Sequence, residues 1–144
     1  MKTIATIASI LALTIGLGIS SAEAGNKLKL NQLGFGNSFG SLQDGNFNKI
    51  GASQSGIFNS GTVIQHGGFN TGVLGQAGAF NDGNIKQTGF GNQGGIGQTG
   101  IGNSGKLKQT GVANGGLILQ NGVGNDADVS QTGAGNTAVI LQDN

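Results

Sequence analysis

Residues 120–142 read Gln120-Asn121-Gly122-Val123-Gly124-Asn125-Asp126-Ala127-Asp128-Val129-Ser130-Gln131-Thr132-Gly133-Ala134-Gly135-Asn136-Thr137-Ala138-Val139-Ile140-Leu141-Gln142. The three glutamines of the 11-residue phase close two units of one design, each with Gly two residues after its Gln and Asn five residues after it. Working outward, the phase extends over most of the chain. Gln stands at Gln32, Gln43, Gln54, Gln65, Gln76, Gln87, Gln98, Gln109, Gln120, Gln131 and Gln142, always 11 apart, and Gln93 alone falls outside. Asn keeps the same interval at Asn37, Asn48, Asn59, Asn70, Asn81, Asn92, Asn103, Asn114, Asn125 and Asn136. Gly does so at Gly34, Gly45, Gly56, Gly67, Gly78, Gly89, Gly100, Gly111, Gly122 and Gly133. A fixed period of this kind marks a repeat architecture.

With Gln as position 1, the unit is Q-x-G-x-x-N-x-x-x-h-x. Position 8 is small in most units (Gly61, Gly72, Gly83, Gly94, Gly105, Gly116, Ala127, Ala138). Position 10 is aliphatic from the third unit on (Val63, Leu74, Ile85, Ile96, Leu107, Ile118, Val129, Ile140). A strand sends alternate side chains to opposite faces, so positions 8, 10 and the next Gln share one face. The charges test this independently. Lys29, Lys106 and Asp128 occupy position 9; Lys86 and Lys108 occupy position 11; Asp44, Asp143 and His66 occupy position 2; Lys27, Lys49, Asp82 and Asp126 occupy position 7. None falls on the 8-10-1 face, which is therefore the buried one. The expected unit is a strand over positions 7 to 2 and a turn over 3 to 6, where Gly and Asn tolerate positive φ.

One such unit buries nothing alone, but stacked units do, which predicts an all-β solenoid. Two units per rung of about 22 residues place two strands across a thin core, and ten units then give about five rungs, a height of about 24 Å. No alternation at 22 residues is evident that would settle the rung size. In such a stack the Gln and Asn columns have a physical task. A buried amide without a partner costs several kcal/mol, and identical amides at the strand spacing hydrogen-bond along the column. The turn glycines serve the corners.

Composition excludes much else. Gly, Asn and Gln supply 59 of 144 residues, from 31, 16 and 12; Pro, Cys, Trp, Tyr and Arg are absent. Without Cys there is no disulfide framework, thiolate metal site or cysteine nucleophile. One His and scattered acids build no acid–base pair, so no catalytic residue, cofactor site or metal site is expected. Zero Arg and a net charge of +1 argue against nucleic acid as partner. His66 and the Asp126/Asp128 pair read as solvated side chains, a weak cation contact at the latter being the lesser alternative.

Residues 1–24 carry a different pattern. Lys2 precedes an uncharged apolar run from Ile4 to Ile19, followed by Ala22-Glu23-Ala24. That is the layout of a cleaved secretory signal peptide, not of a membrane span, so the mature chain is expected to begin at Gly25 and to have no transmembrane segment. Residues 25–31 then form a short amino-terminal tail and partial repeat, and residues 32–144 the repeat domain of ten units with a terminal Gln-Asp-Asn. The pattern runs from Asn26 and Leu30 through Gln142 with no capping repeat. Open strand edges template further chains, so a head-to-tail filament is expected.

The unit Q-x-G-x-G-N-x-A-x-x-x-Q resembles the curlin repeat of bacterial curli, the functional amyloid of biofilm matrices. Gln131 to Gln142 and Gln120 to Gln131 match it at every defined position, and the resemblance extends over residues 26–144. It implies a secreted structural subunit of an extracellular amyloid fibre on the bacterial surface, serving biofilm formation and adhesion. The implied partners are further copies of the chain, a second curlin subunit, an outer-membrane secretion channel and periplasmic chaperones. Both the major-subunit and the nucleator rank stay open. Two departures stand out: Gly often replaces Ala at position 8, and position 5 is Phe at Phe47, Phe58, Phe69 and Phe80. The phenylalanines are expected to pack at turn corners, adhesion being the alternative. The competing reading is a soluble secreted β-solenoid binding module, of ice-binding or adhesin type, that does not polymerise. An ice-binding face would need regular Thr, which occurs at position 2 only in Thr88, Thr99, Thr110 and Thr132. A calcium-binding toxin repeat would need phased Asp, and a β-helical lyase clustered charges.

Overall fold

The computed structural model describes residues 25–144. The segment read as a leader lies outside the described residues. Eleven strands follow one another: β1 (Lys27–Phe35), β2 (Ser38–Asp44), β3 (Lys49–Ile57), β4 (Ser60–Gly68), β5 (Thr71–Ala79), β6 (Asp82–Phe90), β7 (Gln93–Ile101), β8 (Ser104–Val112), β9 (Gly115–Val123), β10 (Asp126–Ala134) and β11 (Thr137–Asp143). They alternate between two parallel sheets, in the orders β1-β3-β5-β7-β9-β11 and β10-β8-β6-β4-β2. A rung is one strand from each sheet. Every pairing joins residues 22 apart, as in Gln54↔Gln76 and Gln65↔Gln87. The chain is thus a β-solenoid with two units per rung.

The 22-residue register follows from the side chains. A rung of one unit would leave each strand nothing to face, and a slip of one residue would carry the aliphatic set into solvent. The core is a single file of residues between the sheets: Ile50, Ala52, Val63, Leu74, Ile85, Ile96, Leu107, Ile118, Ala127 and Val129 are buried, with Phe39, Ala138 and Ile140 packed against them. All but Ile50, Phe39, Ala127 and Ala138 stand at position 10. The exceptions at position 8 explain the frequency of glycine there. A Cβ added at Gly61 or Gly83 would run into Leu74, and one at Gly94 or Gly116 into Leu107. The core is one side chain thick, so bulk at position 10 excludes bulk opposite it. Where position 10 is small, at Ser41 and Ala52, the large residue sits at position 8 instead, as Phe39 and Ile50.

Nine of the eleven strands run two residues further than expected, through positions 3 and 4, leaving positions 5 and 6 for the turn, while β2 and β11 end at position 2. The glycine at position 3 makes this possible. Gly56 has φ 123° and lies so close to the rung above that a Cβ would overlap the carbonyl of Gly78. The chain bends there without leaving the ladder. The second correction concerns the turn itself. The position-6 asparagines do not adopt positive φ; position 5 does. Phe47, Phe58, Phe69, Phe80 and Ala113 hold φ of 54–59°, a region costly for residues with a Cβ. The backbone ladder continues through the corner, where the Phe58 N–H donates to the Phe35 carbonyl at 2.9 Å and the Phe80 N–H to Ile57 at 3.0 Å.

Candidate functional site

The amide side chains form four columns. One glutamine column runs through the six-stranded sheet: Gln32 donates to Gln54 at 2.6 Å, Gln54 to Gln76 at 2.7 Å, Gln76 to Gln98 at 2.9 Å, Gln98 to Gln120 at 2.9 Å and Gln120 to Gln142 at 2.8 Å. The other runs through the five-stranded sheet, from Gln43 to Gln65 at 3.1 Å, then Gln87, Gln109 and Gln131 at 2.8–2.9 Å. In every link Nε2 donates towards the carboxyl-terminal end of the stack. The second Nε2 proton crosses the core to the facing strand, as from Gln65 to the Lys49 carbonyl at 3.0 Å and from Gln87 to Thr71 at 2.9 Å. From Gln43 to Gln120 each glutamine of the columns therefore ties its rung to the next and one sheet to the other.

The asparagine columns point the opposite way. Asn70 donates both its backbone N–H and Nδ2 back to Asn48 Oδ1, each at 3.1 Å. Asn92 does the same to Asn70, and Asn114 to Asn92. Asn37, Asn59, Asn81, Asn103 and Asn125 form the second column, and Asn26 and Asn136 end the first. Nδ2 also donates to its own position-2 carbonyl and to the position-3 glycine of the next rung; for Asn81 these are Ala77 at 3.2 Å and Gly100 at 3.1 Å. The side chain thus closes the turn and grips both neighbours at once. Gln54 to Gln131 and Asn48 to Asn125 are buried, and among the described residues no buried side-chain nitrogen or oxygen lacks a partner. The position-3 glycines Gly34 to Gly133 all hold positive φ, and from Gly45 on their carbonyls receive the asparagine amides.

This arrangement leaves the two ends chemically different. Among the described residues, Gln32 and Gln43 at the amino-terminal end present Oε1 with no donor, and Asn26 and Asn37 present backbone N–H groups with no acceptor. At the carboxyl-terminal end Gln131 and Gln142 each keep one free Nε2 proton, after donating to Gly115 at 2.9 Å and Asp126 at 3.0 Å. Asn125 and Asn136 there present Oδ1. Each end supplies what the other lacks. Among the described residues the edge strands are β1 and β2 at one end and β10 and β11 at the other, each paired on one side only. Asn144 continues the path of β11 along β9, its N–H donating to the Asn121 carbonyl at 3.2 Å and its Oδ1 accepting from the Val123 N–H at 3.0 Å.

The remaining candidates lie outside these columns. Asp44 and His66 pair at 3.4 Å on the surface. Asp128 lies beside Lys106 in the ladder, and Asp126 beside Ser104. Among the described residues no three His, Asp or Glu side chains are grouped to hold a metal ion, and no helix is long and apolar enough to cross a membrane. The phenylalanines, expected to pack at turn corners, stack along both edges of the solenoid: Phe47 on Phe69 at 4.9 Å and Phe69 on Phe90 at 5.0 Å, with Phe35, Phe58 and Phe80 at 5.5–5.6 Å on the other edge. Phe35 and Phe90 stand at position 4, so the stacks recruit residues that the position-5 pattern does not mark.

The fold is a two-sheet β-solenoid whose rungs are joined by buried amide columns. Within that class, the curlin-associated repeat matches residues 81–111 and 102–133. No curated protein matches the chain.

Proposed function

We propose that this chain is a secreted structural subunit of a curli-like extracellular amyloid fibre, which assembles by stacking solenoids head to tail and serves biofilm matrix and surface adhesion. The observation that carries this reading is the opposed polarity of the glutamine and asparagine columns. A second copy set on the carboxyl-terminal edge would present Gln Oε1 to waiting Nε2 protons and Asn N–H to waiting Oδ1. The backbone ladder would continue at the same spacing. Head-to-head contact would set acceptor against acceptor and donor against donor. The ladder residues named above are the proposed assembly machinery, with the position-3 glycines keeping rungs close enough to join. Export behind the 1–24 leader, a second curlin subunit, and a dedicated channel with chaperones complete the reading.

The test is direct. The purified chain from Gly25 is expected to form thioflavin-binding fibres with a meridional reflection at ~4.8 Å. A product that stays monomeric for days would favour the soluble binding module. In the source bacterium, deleting the gene is expected to remove or thin surface fibres.

A further inference from the structure

The two outer faces of the solenoid differ in kind. The five-stranded sheet carries Asp44, His66, Asp82, Lys86, Lys106 and Lys108 outward, together with Asp126 and Asp128. On the six-stranded sheet the outward charges are confined to the ends, as Lys27, Lys29 and Lys49 at one and Asp143 at the other. Between them β5, β7 and β9 expose no charge at all. Val73 is 52% exposed, and Leu117 and Leu119 are 37% and 39% exposed.

This face also has relief. Leu117 and Leu119 form a ridge that leans over β7, where a Cβ on Gly95 or Gly97 would sit 3.1 and 2.8 Å from their methyl groups. Nearer the amino-terminal end the face is a trough, since a Cβ on Gly51 or Gly75 would meet nothing within 4 Å.

From these observations we propose that the outer face of the six-stranded sheet is a second interaction surface, separate from the strand edges, whose occupant is the same face of another copy of this chain. The claim rests on the fibre reading above, since it turns single filaments into paired ones. Three features single out a second copy. The first is pitch: both partners have rungs about 4.8 Å apart, so ridges and troughs stay in phase over the whole contact, which an irregular surface cannot match.

The second is self-complementarity. Turning one copy end over end about an axis along the strands, between β5 and β7, lays Leu117 over Gly51 and Val73 over Gly95. The same turn brings the lysine-bearing end of each copy to the Asp143-bearing end of the other. The third is area. Nine-residue strands in a six-stranded sheet make a face of about 30 by 29 Å, on the order of 850 Å², against about 800 Å² per partner in a stable interface.

The native β8 supplies the test variant. It carries Lys106 and Lys108 at the positions that Leu117 and Leu119 hold in β9, so the rung accepts lysine there. Fibres of the unmodified chain imaged by electron cryomicroscopy are expected to be pairs that touch through Leu117 and Leu119. The double substitution L117K/L119K is expected to give single filaments, with thioflavin yield and the ~4.8 Å reflection unchanged. The control K106L/K108L on the other sheet should keep the pairs. Pairs that survive L117K/L119K, pairs joined through the five-stranded sheet, or single filaments of the unmodified chain would each overturn the proposal and leave the fibre reading standing. Absence of any fibre overturns that reading and the pairing with it.

Discussion

Gln76 donates one amide proton to Gln98 Oε1 at 2.9 Å, along the stack, and the other to the Ser60 carbonyl at 2.7 Å, across the core. It also accepts from Gln54 at 2.7 Å. Gln76→Ala therefore strands a buried donor on Gln54 and a buried acceptor on Gln98, at about 1–3 kcal/mol each, and leaves a void as well. The expected result is a longer lag in thioflavin kinetics and a lower denaturant concentration for half loss of the strand signal. Unchanged kinetics and midpoint would count against the columns as the assembly machinery.

Glycine separates into two kinds in this fold. Gly56 has φ 123° and no room for a Cβ, whereas Gly75 has open space. Gly56→Ala is expected to cost more than about 2 kcal/mol, from the left-handed penalty and the overlap with Gly78. Gly75→Ala is expected to be neutral or stabilising by about 0.4–1 kcal/mol, through the unfolded chain. Fibre yield and denaturation midpoint of the two variants, measured side by side, check this.

The 11-residue phase makes the buried face and the solenoid stacking of the amide positions legible in the sequence, because those positions answer to one demand repeated at every rung. Three things are not. The strand bounds were set two residues short, since Gly at position 3 reads as a turn residue and only the closeness of Gly56 to Gly78 shows that it stays in the ladder. Gly and Asn read as the residues of the turn that tolerate positive φ; the glycines at positions 3 and 5 do adopt it, the asparagines at position 6 do not, and Phe58 and its equivalents at position 5 join the glycines. An alternation at 22 residues exists after all. It lies in the outward charges: between the end strands every charge from Asp82 to Asp128 falls on the five-stranded sheet. The buried positions are alike on both sheets, which hides it.

Phe58 sets two effects against each other. Its φ of 55° costs about 1–2 kcal/mol for a residue with a Cβ, while its edge-to-face contact with Phe35 and its stack on Phe80 return about 0.5–1.5 kcal/mol each. Phe58→Gly removes both and should leave stability within about 1 kcal/mol of the parent, in keeping with Gly91, Gly102, Gly124 and Gly135 at equivalent corners. Phe58→Ala keeps the strain and loses the stacks, so its midpoint should fall by the equivalent of about 1–3 kcal/mol. A glycine variant less stable than the alanine variant would contradict this balance.

Leu107 is held between Gly94 and Gly116 of the facing sheet. Added Cβ atoms there would sit 2.9 and 2.6 Å from its methyl groups. Gly116→Ala alone should therefore overpack the core and destabilise by about 1–3 kcal/mol. Leu107→Val alone should open a small void, at about 1 kcal/mol. Combined, the two changes move volume across the core, from position 10 of one sheet to position 8 of the other, and the chain itself has large position-8 residues, Phe39 and Ile50, where its position-10 residues, Ser41 and Ala52, are small. The double variant should be more stable than the sum of the single losses by about 0.5–3 kcal/mol, the coupling of residues in contact. A double-mutant cycle on denaturation midpoints reads this. Additive losses would mean that position 8 is glycine for its backbone, not for the side chain it faces.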